Sequence, residues 1–219
     1  MTRYAAIGIN AVSSIHGDIV GNEIDTGGYG IELDGAVSTS GQTTSTGMRG
    51  SSYMTVTGNA VNNMYTVGID VRHGSSFNTV SSNVVKQAAL AGILLAPGSN
   101  AVAYGAVVKG NVIAGNTVTD TGSGIGYGAW TASGSSRESG IALEPYENNN
   151  GVRVTQNVII GNSVIDTKGR MTYGVIDSGI FGYSTPSYPH ENRFAANHVS
   201  GAITANTSIN TARNKNLTW

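Results

Sequence analysis

Two short motifs alternate along this chain, and their spacing constrains the fold more than any other feature of the sequence. The first is Gly-Asn-x-(Val/Ile), which occurs at residues 21–24, 58–61, 110–113, 115–118 and 161–164, with looser copies at 82–85, 156–159 and 196–199. The second is Gly-Ile-x-Leu or a close variant, at residues 30–33, 68–71, 92–95 and 140–143. The tightest full repeat is 24 residues, from Asn59 to Asn83 and again from Gly68 to Gly92. A unit of this length is typical of one turn of a solenoid.

Within the motifs, apolar residues recur at every second position over four or five residues, a pattern that indicates short β-strands. Helical periodicity is absent. Strands this short pair with the next turn, which gives parallel sheets with about 4.8 Å between strands. Asn at a fixed position of successive turns can form a ladder of side-chain hydrogen bonds, and Asn and Gly both tolerate the left-handed backbone of a tight corner. We therefore predict an all-β parallel solenoid in which the motif Asn and Gly residues build corners and bind no ligand.

Composition narrows the possible functions. Only 11% of the residues are charged and the formal net charge is −1, which disfavours a general nucleic-acid binder. Hydrophobic residues make up 39% of the chain, so it folds, and the 31 glycines agree with many corners. The absence of cysteine excludes disulfides and thiolate metal sites. No apolar run is long enough to span a membrane, and the first residues lack the apolar core of a signal peptide.

The alternating units at residues 21–24 and 30–33, with their later copies, resemble the repeat of the right-handed parallel β-helix in the pectate-lyase-like superfamily. The resemblance covers about residues 7–203 and implies a single-stranded parallel β-helix of roughly eight or nine turns. One domain over 1–219 would then end in a tail over 204–219. The superfamily contains polysaccharide lyases, glycoside hydrolases, sugar epimerases, esterases, phage tailspikes and structural proteins. Resemblance to a tailspike implies a polysaccharide or oligosaccharide ligand, a homotrimer, and a location outside the cell or on a virion surface.

Insertions between the motifs predict where a ligand binds. They occupy residues 36–52, 97–109, 127–138, 145–152 and 182–193. We expect them to emerge from one edge of the column, each after a Gly-Ile strand, as binding loops on a rigid scaffold do. Their hydroxyl groups and aromatic rings suit sugars, and we predict sugar contacts at Tyr127, Trp130 and Tyr146, of which Trp130 is the strongest candidate. The alternative is that these rings pack on the column or in a subunit interface.

Carboxylates on the Gly-Ile strands are the candidate catalytic groups. Alternation directs Ile and Leu inward, so stacking the turns predicts two columns of outward side chains. The first column contains Glu32, Asp70, Leu94 and Ala142, and the second contains Asp34, Arg72, Ala96 and Glu144. Glu32 above Asp70 places two carboxylates about 5 Å apart, the separation found in retaining glycosidases. Like charges this close raise one pKa and create a general acid beside a base. We predict Glu32, Asp70 and Asp34 as catalytic residues, with Arg72 and Glu144 binding substrate.

Other interpretations stay open. In one alternative, Arg72 and Asp34 form an ion network with Glu32 and Asp70 that only offsets the repulsion between the carboxylates. In another, Glu144 caps its strand. His73 is more typical of a turn residue than of a catalytic base. A calcium site at Asp18, Glu23 and Asp25 has suitable oxygen ligands but no supporting spacing, and we expect no metal, cofactor, nucleic acid or membrane partner. The leading prediction is a carbohydrate-recognising, tailspike-like β-helix that binds a cell-surface polysaccharide and, if it is active, is a glycosidase; a structural or adhesive rod is the alternative. A polysaccharide lyase or uronate epimerase is third, because only Arg72 with His73, or Lys86, offers a basic residue.

Overall fold

The computed structural model describes residues 6–36, 49–97, 106–122, 138–144, 153–177, 191–209 and 215–218. Within these ranges the chain forms 21 strands. The strands are β1 (Ile7–Val12), β2 (Asp18–Val20), β3 (Glu23–Ala36), β4 (Arg49–Gly50), β5 (Thr55–Thr57), β6 (Ala60–Arg72), β7 (Thr79–Ser81), β8 (Val84–Ala88), β9 (Ala91–Ala96), β10 (Val107–Lys109), β11 (Val112–Ala114), β12 (Thr117–Thr119), β13 (Ser139–Leu143), β14 (Arg153–Thr155), β15 (Val158–Ile160), β16 (Ser163–Ile165), β17 (Tyr173–Ile176), β18 (Arg193–Ala195), β19 (His198–Ser200), β20 (Ala205–Ser208) and β21 (Lys215–Thr218). None of the described residues belongs to a helix long and apolar enough to cross a membrane.

Except for β4, each described strand pairs in parallel with its equivalent one turn along the chain, which makes the molecule a solenoid. One sheet contains seven strands in the order β2-β5-β7-β11-β15-β18-β21. A second sheet of twelve strands includes the order β19-β16-β12-β8-β6-β9-β13-β17-β20, with β3 joining β1 to β6. A third pairs β10 with β14. Among the described strands, only β4 pairs antiparallel, with the end of β3. The predicted all-β parallel β-helix is confirmed.

The number of turns and their extent differ from the expectation. The described part of the first sheet stacks seven strands, fewer than the eight or nine turns expected. The motif copies at Asn111 and Asn116 resemble two turns in the sequence, but they precede β11 and β12, two sides of the same turn. The stack also continues into the segment expected to be a tail, because β20 pairs with β17 and β21 pairs with β18.

Asn side chains form two ladders along two corners of the solenoid. The first Asn ladder consists of Asn22, Asn59, Asn83, Asn116, Asn162 and Asn197, and the second of Asn78, Asn111, Asn157 and Asn192. In both, the side-chain Nδ2 donates to Oδ1 of the Asn one turn further on, at 2.8–3.0 Å. The predicted ladder is therefore confirmed, but the single Gly-Asn motif conceals two corners.

The two motifs fit together in the interior of the solenoid. A Cβ atom at Gly68 would lie 2.3 Å from Val85 Cγ1 and 2.6 Å from the carbonyl oxygen of Gly92. The same contact recurs in the pairs Gly30/Val61, Gly92/Val118, Gly140/Val164 and Gly174/Val199. The Val of the first motif thus fills the space that the Gly of the second leaves. Corner glycines differ: Gly58 has φ 64°, and a Cβ atom there would meet nothing within 4 Å. Only glycines of this second kind match the corner role that the sequence predicts.

Inward and outward faces of the Gly-Ile strands alternate as expected. Ile31, Leu33, Ile69 and Val71 are fully buried in the main core. The outward positions are not open to solvent, however. Next to Asp70 and in the turns that follow it, apolar side chains form a second buried cluster. It consists of Val67, Leu90, Ala91, Leu94, Ala96, Ala142 and Ile176. The outer face of this part of the sheet is therefore a second layer of packing.

Most insertions follow one edge of the twelve-stranded sheet. Strands β3, β9, β13 and β17 end at or just before residues 37–48, 98–105, 145–152 and 178–190, which lie outside the described ranges. The insertion at 127–138 lies, up to residue 137, outside the described residues.

Candidate functional site

Strands β3 and β6 position the predicted carboxylates side by side. The register pairs Glu32 directly with Asp70, as the sequence predicts, and continues the column to Leu94 and Ala142. Because Ile31 and Leu33 point into the core, the residues between and after them lie on the outer face of the sheet. Glu32 and Asp70 are nevertheless only 3% and 2% exposed.

One guanidinium serves both carboxylates. Arg72 Nη1 donates to Glu32 Oε1 at 2.7 Å and to Asp70 Oδ2 at 3.3 Å. Its guanidinium carbon lies 5.9 Å from the centre of the Tyr29 ring, within the range of a cation–π contact. The pairing of Arg72 with both acids is the ion network of the alternative interpretation, and it also orients both carboxylates.

Asp34 has a different partner from the one expected. Its Oδ1 contacts His73 Nδ1 and accepts a hydrogen bond from the Gly35 N–H at 2.7 Å. His73 follows the last residue of β6 and has a left-handed φ of 50°. The acid cluster, which we define as Glu32, Asp34, Asp70, Arg72 and His73, therefore contains a group of three centred on Arg72 and a separate pair of Asp34 with His73. The interpretation of His73 as a turn residue is correct for its backbone but omits its side-chain contact.

The pKa values of Asp70 and Asp34 are shifted in opposite directions. Burial raises the pKa of Asp70 to about 7; Arg72 opposes this shift, while Glu32 and Asp34 add to it. Burial also acts to raise the pKa of Asp34, but hydrogen bonds from His73 and Gly35 and the charges of His73 and Arg72 hold it below the usual value. The pKa of Arg72 is raised by Asp70 and Glu32 in spite of burial, so the guanidinium stays charged. The cluster thus combines a carboxyl that titrates near neutrality with one that stays ionised.

Several polar atoms of the acid cluster are buried without a hydrogen-bond partner among the described residues. They are Asp70 Oδ1, Arg72 Nε and His73 Nε2. Buried polar atoms in proteins are nearly always paired, and exceptions concentrate at functional sites. Each of these atoms has almost no contact with solvent. Asp34 and Arg72 are the members most in contact with solvent, each with a side chain 21% exposed.

The remaining predicted residues are not brought into the cluster. Glu144 follows β13 on the same edge and is 3% exposed, but the turn carrying Ala96 separates it from Arg72. Tyr127, Trp130 and Tyr146 lie outside the described residues. Sequence analysis missed Tyr29 as a neighbour of Arg72. A register shift between Gly27 and Tyr29 moves this ring relative to the regular spacing, so alternation alone gives no indication of its contact.

Metal ligation has no candidate in the described ranges. No group of three or more His, Cys, Asp or Glu side chains there is arranged to hold an ion. In the calcium site that the sequence left open, Asp25 Oδ1 instead accepts hydrogen bonds from Thr26 at 3.2 Å and Asn63 at 2.7 Å.

Sequence comparison identifies the family. Residues 4–137, more than half of the chain, match the family model described as a right handed beta helix region. The chain belongs to the right-handed β-helix family. No curated protein sequence matches this β-helix significantly.

Two solved structures align with most of this chain. A mutant of the periplasmic alginate epimerase AlgG aligns with a TM-score of 0.50 and 15% identity, over 94% of this chain and 45% of the epimerase. A tailspike protein of the E. coli bacteriophage HK620, a double mutant in complex with a pentasaccharide, aligns with a TM-score of 0.39 and 11% identity, over 94% of this chain and 42% of the tailspike. At such identities the likeness shows the fold alone. This β-helix spans less than half the length of either protein.

Proposed function

We propose that this β-helix binds a polysaccharide at the edge where β3 and β6 end, and hydrolyses a glycosidic bond there. The observation that carries the proposal is the register pair Glu32 and Asp70, in which one carboxyl has a pKa of about 7. A carboxyl that is protonated near neutral pH beside an ionised one is the acid–base combination that glycoside hydrolysis requires. A polysaccharide ligand also agrees with the fold, since the epimerase that aligns with this chain acts on alginate.

The neighbouring strands set the stereochemistry that we propose. Carboxyl groups about 5 Å apart act by the retaining mechanism. Asp70 donates its proton to the glycosidic oxygen while the Glu32 carboxylate attacks the anomeric carbon, so the C–O bond breaks and a glycosyl ester forms on Glu32. Asp70, now ionised, takes a proton from a water molecule whose oxygen displaces Glu32 from the sugar. Both carboxyls then return to their starting states.

Arg72 and Asp34 have supporting roles in this proposal. Arg72 orients Glu32 and Asp70 through hydrogen bonds from one nitrogen atom, Nη1. Asp34 orients the His73 ring through its contact with Nδ1. Both Asp34 and Arg72 reach solvent, so substrate would approach the buried pair from their side.

A non-enzymatic binding rod is the second candidate function. The observation that favours it is the near-complete burial of Glu32 and Asp70 together with their shared counter-charge on Arg72. In a rod, the cluster would only tie two turns together. Extracellular or virion-surface location and a homotrimer remain predictions for either function, and light scattering of the purified chain tests the trimer.

Incubation with a broad panel of bacterial surface polysaccharides, followed by size-exclusion chromatography, tests the proposal. We expect wild type to shorten at least one polymer, and Glu32→Gln and Asp70→Asn to lower the rate by roughly 100-fold or more. Glu23→Gln is the matched control, because Glu23 is an exposed acid at the start of the same strand. Shortening by all variants alike would reject the assigned residues, and intact polymers that still bind would establish the rod. Products that absorb in the near ultraviolet would identify a lyase instead.

The pH profile gives an independent measurement. As the general acid, Asp70 must carry its proton, so the rate is expected to fall as pH rises through about 7. A rate that keeps rising from pH 6 to pH 9 would contradict this role.

A further inference from the structure

The charges around the acid cluster define the class of polysaccharide that it accepts. We propose that the sugar units bound at this site carry no carboxylate, so that the substrate is built from neutral or amino sugars and is not a polyuronate. This inference rests on the proposed function, since it concerns the same site.

The cluster itself is rich in negative charge. Glu32, Asp34 and Asp70 lie together, and Arg72 is the only permanent positive charge in contact with them among the described residues. Arg72 Nη1 is shared between Glu32 and Asp70. An anionic sugar needs a basic side chain that is free to pair with it, and here the available guanidinium already neutralises the protein's own acids.

The neighbouring elements add no compensating charge. On one side, β1 pairs Asn10 with Glu32 and Val12 with Asp34. On the other side, β9 pairs Leu94 with Asp70 and Ala96 with Arg72. The segments that follow β3 and β9, residues 37–48 and 98–105, contain no Asp, Glu, Lys, Arg or His in the sequence.

One basic residue lies at the rim. Arg49 is exposed on β4 and pairs through its backbone with Ala36, two residues beyond Asp34. It forms no ion pair among the described residues with any acid of the cluster. The experiment therefore includes Arg49→Gln, which tests whether this rim residue recruits an anionic sugar.

The unpartnered atoms of the cluster fit neutral hydroxyl groups. Asp70 Oδ1 accepts hydrogen bonds when ionised, Arg72 Nε donates, and His73 Nε2 does either according to its protonation. A sugar hydroxyl both donates and accepts, so its chemistry matches accepting and donating atoms alike. A carboxylate only accepts, and it would meet like charges on Glu32 and Asp34.

Matched polymers that differ only in charge provide the test. A set of uronate-containing bacterial polysaccharides is paired with their carboxyl-reduced forms, which keep the same linkages, and neutral surface polysaccharides are included. Affinity electrophoresis at low salt measures binding, and size-exclusion chromatography measures cleavage. We expect binding to neutral or reduced polymers, and binding at least roughly tenfold weaker to the anionic parents.

Variants connect the discrimination to the cluster. In Glu32→Gln/Asp70→Asn, the preference for the reduced form over its anionic parent is expected to shrink by roughly tenfold, since two acids are neutralised. Arg49→Gln is expected to leave the preference unchanged. Thermal unfolding of each variant confirms that it folds.

The outcomes separate this inference from the function on which it rests. If a polyuronate is bound or shortened equally well as its carboxyl-reduced form, the inference is overturned and the hydrolase proposal stands. Loss of polyuronate binding in Arg49→Gln would then locate the anion contact at the rim. Selective binding to neutral polymers without cleavage would support the inference and reject the hydrolase. Binding to no polymer would overturn both.

Discussion

The first Asn ladder and the edge that carries the acid cluster belong to the same turns but follow opposite rules. At the ladder, successive turns present the same residue, from Asn22 to Asn197. At the edge, equivalent positions hold Asp34, Arg72, Ala96 and Glu144. Each ladder Asn must match its neighbours, because it bonds with the turns on both sides. No such requirement acts at the edge, so its residues are free to differ, and the difference directs attention to this region for function.

Energetics separate the two regions in the same way. Ladder side chains such as Asn116 are buried with both amide atoms bonded. In the acid cluster, a carboxyl is buried under conditions that disfavour its charge, and polar atoms lack partners among the described residues. Buried charges and unpaired polar atoms lower the stability of the folded state, and such destabilising features are typical of functional sites.

Asn116→Ala is expected to have the largest effect on stability. Asn116 Nδ2 donates to Val80 O at 2.9 Å and to Asn162 Oδ1 at 2.9 Å, and its Oδ1 accepts from the backbone N and Nδ2 of Asn83 at 3.0 Å. Alanine leaves these groups buried and unpaired, so the free energy of unfolding should fall by about 4 kcal/mol. Urea unfolding measures the change.

Asn22→Ala is the matched control for this prediction. Asn22 is partly exposed, and its side chain donates only to Val20 O and Asn59 Oδ1 among the described residues. The expected loss is about 1 kcal/mol, because water replaces part of the bonding. Equal losses for the two variants would show that the ladder contributes no more at its centre than at its end.

Gly68→Ala and Gly58→Ala compare the two kinds of glycine. The new Cβ at Gly68 meets Val85 and the Gly92 carbonyl at 2.3 and 2.6 Å, so we expect a loss of about 3 kcal/mol. At Gly58 the site is open and only the left-handed backbone is strained, at a cost of about 1 kcal/mol. Thermal unfolding of the two variants measures the difference. A larger effect at Gly58 would mean that corners, not interior packing, account for the glycine content.

Sequence patterns predict the features that repeat. The period of two and the motif spacing are enough to place Ile31 and Ile69 in the core and to align Glu32 with Asp70. They also predict the Asn ladder, because the motif places Asn at the same position of successive turns, where equivalent residues stack. The presence of two Asn corners is harder to predict from the sequence, because the second Asn ladder begins with Phe77-Asn78, which lacks the Gly of the motif.

Side-chain partners at the edge could not be predicted from spacing. His73 contacts Asp34 because the chain turns through a left-handed conformation immediately after β6, and the sequence does not reveal that direction. Burial of the outward column was also missed. Alternation indicates which way Leu94 points, but not that apolar neighbours from adjacent turns cover it.

Asp70→Asn is expected to stabilise the protein at neutral and alkaline pH. The folded state binds the Asp70 proton more tightly than the unfolded state, with a pKa of about 7 against 3.8. Wild type therefore loses stability from this group as pH rises from about 4 to 7, by an upper limit of about 4 kcal/mol. Asparagine avoids that loss but gives up the charge pair with Arg72, so we expect a net gain of about 2 kcal/mol at pH 8 and no gain at pH 3.

Urea unfolding of wild type and Asp70→Asn from pH 3 to pH 8 measures this difference. Glu23→Gln, at an exposed acid on β3, should show no comparable trend. A gain that is constant with pH would mean that Asp70 is stabilised by contacts rather than destabilised by its buried charge.

The smallest effect is expected at Asp34, with the opposite pH dependence. His73 and Gly35 hold the pKa of Asp34 below its unfolded value, so ionised Asp34 stabilises the fold above pH 3.8 and this contribution is lost as pH falls through the folded pKa. Asp34→Asn should therefore cost about 1 kcal/mol at pH 7 and nothing at low pH. Unfolding of Asp34→Asn, His73→Gln and the double variant at pH 7 measures their coupling. Additive effects would show that the two side chains act independently. The same measurement is repeated at low pH. A coupling that disappears there, beside ladder variants whose losses do not change with pH, would distinguish a region stabilised by stacked side-chain hydrogen bonds from one governed by proton binding.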